Sequence, residues 1–134
     1  MGSAPRLNLL LDTHIWLWSV LEPRRLGRHT ARELNNPENE LWLSPISTWE
    51  ALTLHRRGRI QLQGDLVDWI ADATTNLREA PLTHEIALIA HLLSLRADPA
   101  DRFLAATAKV LDLTLVTADQ NLLGLGDIAT LANR

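Results

Sequence analysis

Four carboxylates stand where this chain of 134 residues could do chemistry: Asp12, Glu50, Asp101 and Asp119. Asp12 closes the apolar run Leu9-Leu10-Leu11. Asp119 follows the run Leu113-Thr114-Leu115-Val116-Thr117. Glu50 comes shortly after Leu41-Trp42-Leu43-Ser44, and Asp101 comes shortly after Asp98-Pro99. Each therefore adjoins the end of a strand-like run or the start of a helix-like one. Gathered in one pocket, four like charges repel, and some take up protons unless a cation joins them. An all-oxygen donor set favours Mg2+ or Mn2+ over Zn2+. A cation held this way can polarise a phosphoryl oxygen and activate water.

Each acid also has a structural explanation. Asp12 suits a helix N-cap. Ser47-Thr48-Trp49-Glu50 matches a capping box, with Glu50 reaching back to the Ser47 amide. Asp98-Pro99-Ala100-Asp101 supplies an N-cap, a proline at N1 and an acid at N3. Asp119 can cap the next turn. The chemical reading gains on these only if the fold brings all four acids to one edge.

The elements predict that it does. Apolar runs at 7–11, 41–44 and 113–117 read as buried strands. Helical spacing appears at 13–21, 28–36, 48–57, 65–78, 84–95 and from Pro99 to about 111, with stops at Pro23, Pro37 and Gly58. Ile60-Gln61-Leu62 and Pro81-Leu82 read as short extended pieces. The tail from 120 holds a short helix and an edge strand near 128–131. Strands separated by helices predict an α/β fold, three-layer α/β/α with a central mostly parallel sheet. Right-handed crossovers then put the strands' carboxyl ends, where ligands bind, along one edge.

Composition agrees. The length suits one domain spanning 7–134, with residues 1–6 as a disordered tail. Hydrophobic residues at 46% and charged residues at 22% exclude disordered and fibrous classes. With no cysteine, disulfide frameworks, thiolate metal sites and cysteine nucleophiles are excluded. No run approaches the roughly 18 apolar residues of a membrane span, and no signal peptide is visible. A cytoplasmic protein is the expectation. Net charge is −3, which argues against a general nucleic-acid coat protein. Without the four acids it becomes +1, so an acidic balance does not exclude a polyanionic substrate. Arg24, Arg25, Arg28 and Arg32 form one basic cluster and Arg56, Arg57 and Arg59 another. Solvated faces are their default, and phosphate contacts the alternative.

Other motifs fall away. His84-Glu85 and His91 lack the His-Glu-x-x-His spacing of zinc hydrolases. There is neither a glycine-rich phosphate loop nor a Gly-x-Ser-x-Gly elbow. His14 stands close to Asp12 and is either a helix-surface residue or a substrate contact.

Taken in order, four segments resemble the motifs of PIN domains, in the subtype of VapC-type toxins from bacterial toxin–antitoxin pairs. They are Leu10-Leu11-Asp12-Thr13-His14, Ser44 through Leu52, Asp98 through Ala108, and Leu115-Val116-Thr117-Ala118-Asp119. The resemblance spans about Leu7 to Leu123. It implies a metal-dependent endoribonuclease in which Asp12, Asp101 and Asp119 hold Mg2+ or Mn2+. Glu50 matches the second acid, and Thr13 and Thr117 match hydroxyl positions that brace the carboxylates. It further implies an RNA substrate, a cognate antitoxin and a homodimer. Relatives often carry histidine two residues before the Asp-Pro pair. Here that position is Arg96, so no histidine role transfers.

Five tryptophans, Trp16, Trp18, Trp42, Trp49 and Trp69, suit core or interface packing, with base stacking as the alternative. Trp16 and Trp18 cannot both face the core from one helix, and the outward one hints at a dimer or antitoxin surface. Two other functions fit the α/β pattern. A receiver-type phosphoacceptor domain needs a second acid near Asp12 and a lysine after a late strand, whereas Lys109 precedes the strand. A catalytically inactive PIN scaffold would be expected to lack some of the acids, and all four are present.

Overall fold

A computed structural model describes residues 6–93 and 97–134. Five strands form one sheet: β1 (Asn8–Leu11), β2 (Glu40–Leu43), β3 (Arg78–Glu79), β4 (Thr114–Thr117) and β5 (Thr130–Ala132). The order is β3-β2-β1-β4-β5, and every pairing is parallel. Seven helices among the described residues connect and cover it: α1 (Thr13–Leu21), α2 (Arg28–Leu34), α3 (Pro45–Arg56), α4 (Leu66–Ala73), α5 (His84–Leu92), α6 (Pro99–Leu111) and α7 (Gln120–Leu123).

The apolar run of β1 is continuous because both faces of the sheet are covered. Leu9 and Leu11 pack with Ile15 and Trp16 of α1 and Ala51 of α3. Leu10 points the other way, into Leu104, Ala105 and Ala108 of α6. β4 repeats the alternation, with Val116 on the first face and Leu115 on the second. These two cores make the three layers. Trp16 is fully buried; its indole N–H donates to Ala73 O at 2.9 Å and its ring meets Trp69 edge-on, docking α4.

Several boundaries differ from the sequence expectation for identifiable reasons. α4 ends at Ala73, short of residue 78, because the Thr74 and Thr75 hydroxyls donate back to Ile70 O and Ala71 O and compete with the backbone ladder. The third strand is Arg78–Glu79 and not Pro81-Leu82; Pro81 has no N–H to give a sheet. Ala80 N still donates to Leu43 O, carrying the ladder one step further. α3 starts three residues early, at Pro45, since proline fits N1 and the Ser44 hydroxyl accepts from Ile46 N. Ile60–Leu62 forms no strand; Leu62 N donates to His55 Nδ1 instead. α5 ends at Leu92, where the Arg102 guanidinium donates to the carbonyls of Ala90 and His91. Of the expected tail, residues 1–5 lie outside the described set, as does Arg96. Arg6 pairs with Glu40.

Asn133 and Arg134 close over the start of α2. Gly27 N donates to Asn133 Oδ1 at 2.7 Å, and Thr30 N donates to Arg134 O at 3.0 Å. Asn133 Nδ2 also donates to Arg25 O. A Cβ on Gly27 would collide with the Arg134 backbone. Gly27→Ala is accordingly expected to lower stability by roughly 1–3 kcal/mol, as overpacking does. Urea unfolding checks it, and an unchanged midpoint would contradict the clasp.

Candidate functional site

Four helices begin at the carboxyl edge of the sheet. Asp12, directly after β1, is the N-cap of α1, and its Oδ1 accepts from Thr13 N at 2.7 Å. Its Oδ2 accepts from the Thr117 hydroxyl at 2.6 Å, which ties the end of β4 to the end of β1. Thr117 Oγ1 in turn accepts from Asp119 N at 3.0 Å. Asp119 caps α7 by accepting from Asn121 N at 2.8 Å. Asp98 caps α6 by accepting from Asp101 N at 3.0 Å. The cap explanations for Asp12, Asp98 and Asp119 are therefore correct, and they bring the carboxylates to one place. Capping and convergence are the same geometric fact here.

Glu50 is the exception. The expected capping box does not form, because α3 starts at Pro45 and Ser47 N donates to Ser44 O. Glu50 sits in the second turn, and its Oε1 accepts from the Thr13 hydroxyl at 2.5 Å. Thr13 Oγ1 also lies 2.8 Å from Ser47 Oγ. Thr13 has one hydroxyl proton, and Glu50 takes it when ionised, so Ser47 serves as donor to Thr13. Thr13 thus fastens α3 to α1 from a buried position. Thr13→Val keeps the shape and removes that link. It is expected to lower stability by about 1–2 kcal/mol in thermal unfolding; no loss would show that Glu50 is held by something else.

A cavity of about 340 Å3 is lined by Asp12, Glu50, Asp98, Asp101 and Asp119, with His14, Trp18 and Ala118. All four acids singled out in the sequence line it, and Asp98 joins them. The sequence signal for Asp98 was its place three residues before Asp101, as N-cap and N3 of one helix end. Trp18 is the outward tryptophan of α1, and it faces this cavity. Two larger cavities of about 370 and 420 Å3 lie towards α4 and are mostly apolar; each contains a single carboxylate, Asp72 or Glu79.

The electrostatics follow from the crowding. Burial raises the Asp12 carboxyl above its usual range, although the Thr117 hydroxyl and the Thr13 amide favour its charge. Burial also raises Glu50, opposed by the Thr13 hydroxyl and reinforced by Asp98 and Asp12. Asp101 is pushed up to about 7, by burial first and then by Asp98, Asp12, Asp119 and Glu50. Among the described residues no donor reaches the Asp101 carboxyl, and this is the acid with the largest resolved rise. Its shift registers the other four as like charges near enough to repel it.

Such a donor set, oxygen throughout and over-charged, fits a hard divalent cation. Among the described residues, no three His, Cys, Asp or Glu side chains already stand in position to hold an ion together. The two oxygens of Asp12 are committed to hydroxyl and amide donors, so the fit rests on donor chemistry and charge.

The PIN domain family model matches residues 9–127. Ribonuclease VapC22 of Mycobacterium tuberculosis is 34% identical over 117 residues, covering 86% of this chain and 89% of that protein. A DNA-bound VapBC from Salmonella typhimurium superposes with a TM-score of 0.71 at 15% identity, covering 94% of this chain and 98% of that one. VapBC2 from Rickettsia felis, bound to a promoter DNA fragment, gives a TM-score of 0.69 at 15% identity with the same coverage. At those identities the structures establish the fold, and it is the parallel three-layer fold described above. The sequence match, running from β1 past the last acid, decides the lineage: this chain belongs to the PIN-domain family.

Proposed function

We propose that the protein is a divalent-metal-dependent endoribonuclease and the toxin of a toxin–antitoxin pair. The observation that carries the reading is the gathering of five carboxylates into one cavity at the sheet edge. The relative named a ribonuclease supports the substrate class, and the VapBC assemblies among the structural neighbours support an antitoxin partner. Asp12, Asp101 and Asp119 would hold Mg2+ or Mn2+, with Glu50 beside them. Such a cation supplies Lewis acidity toward a phosphoryl oxygen and eases deprotonation of water.

The chain's own residues do the positioning. Thr117 and the Thr13 amide fix the Asp12 carboxylate. Thr13 and Ser47 fix Glu50. Glu50, raised by burial and held by Thr13 beside the proposed cation site, is placed to accept a proton from an attacking water. Hydrolysis would leave a 5′-phosphate and a 3′-hydroxyl. We further propose a cytoplasmic location; among the described residues no helix is long and apolar enough to cross a membrane. Leu88 and Leu92, 58% and 65% exposed on α5, supply apolar surface for a second copy of the chain.

The receiver reading loses support because Lys109 pairs with Asp127, at the end of α6 away from Asp101. The test of the proposal is RNA cleavage with Mg2+ or Mn2+, set against chelator and against Asp12→Asn purified in parallel. Cleavage that survives either the chelator or the substitution sinks it.

A further inference from the structure

The carboxylate cavity poses an electrostatic problem. Its five acids repel the phosphates of any nucleic acid brought to them, while the rest of the chain carries a formal charge of +2. Two grooves share lining residues with this cavity. One, of about 260 Å3, shares His14 and Trp18 with it and adds Arg25 and Arg59. The other, of about 300 Å3, shares Glu50 and Asp98 with it and adds Trp49 and Arg57. Each groove thus pairs a tryptophan with arginine next to the acids.

The side chains are set for use. The Arg25 guanidinium lies 4.4 Å from the Trp18 ring centroid, and the His14 ring lies 6.0 Å from it on the same helix face. Among the described residues the one carboxylate within ion-pair distance of Arg25 is Glu22, at a loose 3.9 Å between exposed groups. Among the described residues neither Arg57 nor Arg59 has a carboxylate within ion-pair distance. Trp49 is 61% exposed, the least covered tryptophan of the chain. A large aromatic left open beside unpaired cations is a base-stacking platform with phosphate contacts. Grooves of this size admit splayed single nucleotides, which a stacked duplex does not offer.

We propose that Trp18 with Arg25 and Arg59, and Trp49 with Arg57, form two arms that hold the nucleotides adjoining the scissile phosphate of single-stranded RNA. This rests on the nuclease reading above and assigns residues to its substrate grip. The arms offset the repulsion of the acids, so they act on binding and leave the chemical step alone.

The test measures binding of a labelled single-stranded oligoribonucleotide to the full chain in chelator, by fluorescence anisotropy across a salt series. Arg57→Ala and Arg59→Ala are each expected to weaken binding about 3- to 10-fold and to reduce the logarithmic salt slope by about 0.7. Trp49→Leu is expected to weaken it roughly 5- to 100-fold with little change in that slope. Arg32→Ala on α2, outside these grooves, serves as the control and is expected to match wild type. With metal added, the arm variants raise KM and keep kcat. Trp18 is half-buried, so the exposed Trp49, Arg57 and Arg59 carry the result even if a Trp18 variant misfolds. Equal losses at Arg32, Arg57 and Arg59 would mean a diffuse charge field and overturn the arms. Arm variants that bind RNA like wild type but no longer bind the purified antitoxin would reassign the surface to protein docking. Either result leaves the nuclease reading standing if wild type still cuts RNA. A wild-type chain that neither binds nor cuts RNA overturns both.

Discussion

Asp12→Ala and Asp101→Asn are expected to abolish RNA cleavage alike while moving stability in opposite directions. Each removes a charge from the proposed cation site, and the loss in rate is expected to be at least about 10²–10³-fold, as for other preorganised electrostatic groups. Their surroundings differ. Asp12 is buried at 6% exposure and accepts from both Thr117 and Thr13. Alanine leaves a buried hydroxyl and a helix N-terminal amide without their partner, at about 2–4 kcal/mol in all. For a domain of this size that lowers Tm by on the order of 10 °C. No donor among the described residues serves the Asp101 carboxyl, and four acids oppose its charge. Asparagine removes that conflict and keeps the backbone link to Asp98. In chelator at pH 8 its Tm is expected to equal or exceed that of wild type by a few degrees. A large Tm loss in Asp101→Asn would show that the carboxyl is a structural anchor and not a strained one.

The second large effect is on pH dependence. The Asp101 carboxyl titrates near its ordinary 3.8 when unfolded and at about 7 when folded. Between those values the folded chain holds the extra proton, so metal-free stability falls as pH rises from about 4 to about 7 and then levels off. Asp12 and Glu50, both raised, act in the same direction. Asp127 is lowered by its bond to Lys109 and acts oppositely, but it lies at the surface and its effect is screened. A divalent cation binds the ionised acids, so it reverses the loss. Millimolar Mg2+ or Mn2+ is expected to raise Tm more at pH 8 than at pH 5. Thermal melts from pH 4.5 to 8.5, with chelator and with metal, measure this. Asp101→Asn should flatten the metal-free curve. Metal-free stability that rises through this window, or a variant curve parallel to wild type, would refute the electrostatic account.

Much of this architecture is legible in the sequence because it depends on burial and on chain punctuation. Leu7 through Leu11 is apolar at every position but one, which suits a strand covered on both faces and too short for a helix. The acids at Asp12, Asp101 and Asp119 are legible as strand ends and helix starts, which is where a parallel sheet converges. Glu50 is harder to read. Pro45 looks like the end of a strand and is instead the first residue of α3, and the three-residue error creates an apparent capping box. Its real partner is Thr13, 37 residues away, a contact that no local pattern encodes. β3 is two exposed residues long and has too little hydrophobic signal to be seen. The outward turn of Trp18 is legible from its spacing to Trp16, but its destination, the rim of the acidic cavity, depends on α1 docking.

The clasp formed by Asn133 and Arg134 also bears on the proposed RNA grip. It grips Gly27 and Thr30 and holds the Arg25 carbonyl, so Asn133 and Arg134 anchor the backbone turn that carries Arg25. Asn133→Ala would remove the bonds to Gly27 N and Arg25 O and loosen that turn. Such a variant is expected to blunt the grip on RNA with every carboxylate intact, its fault lying in the tether and not in the acids.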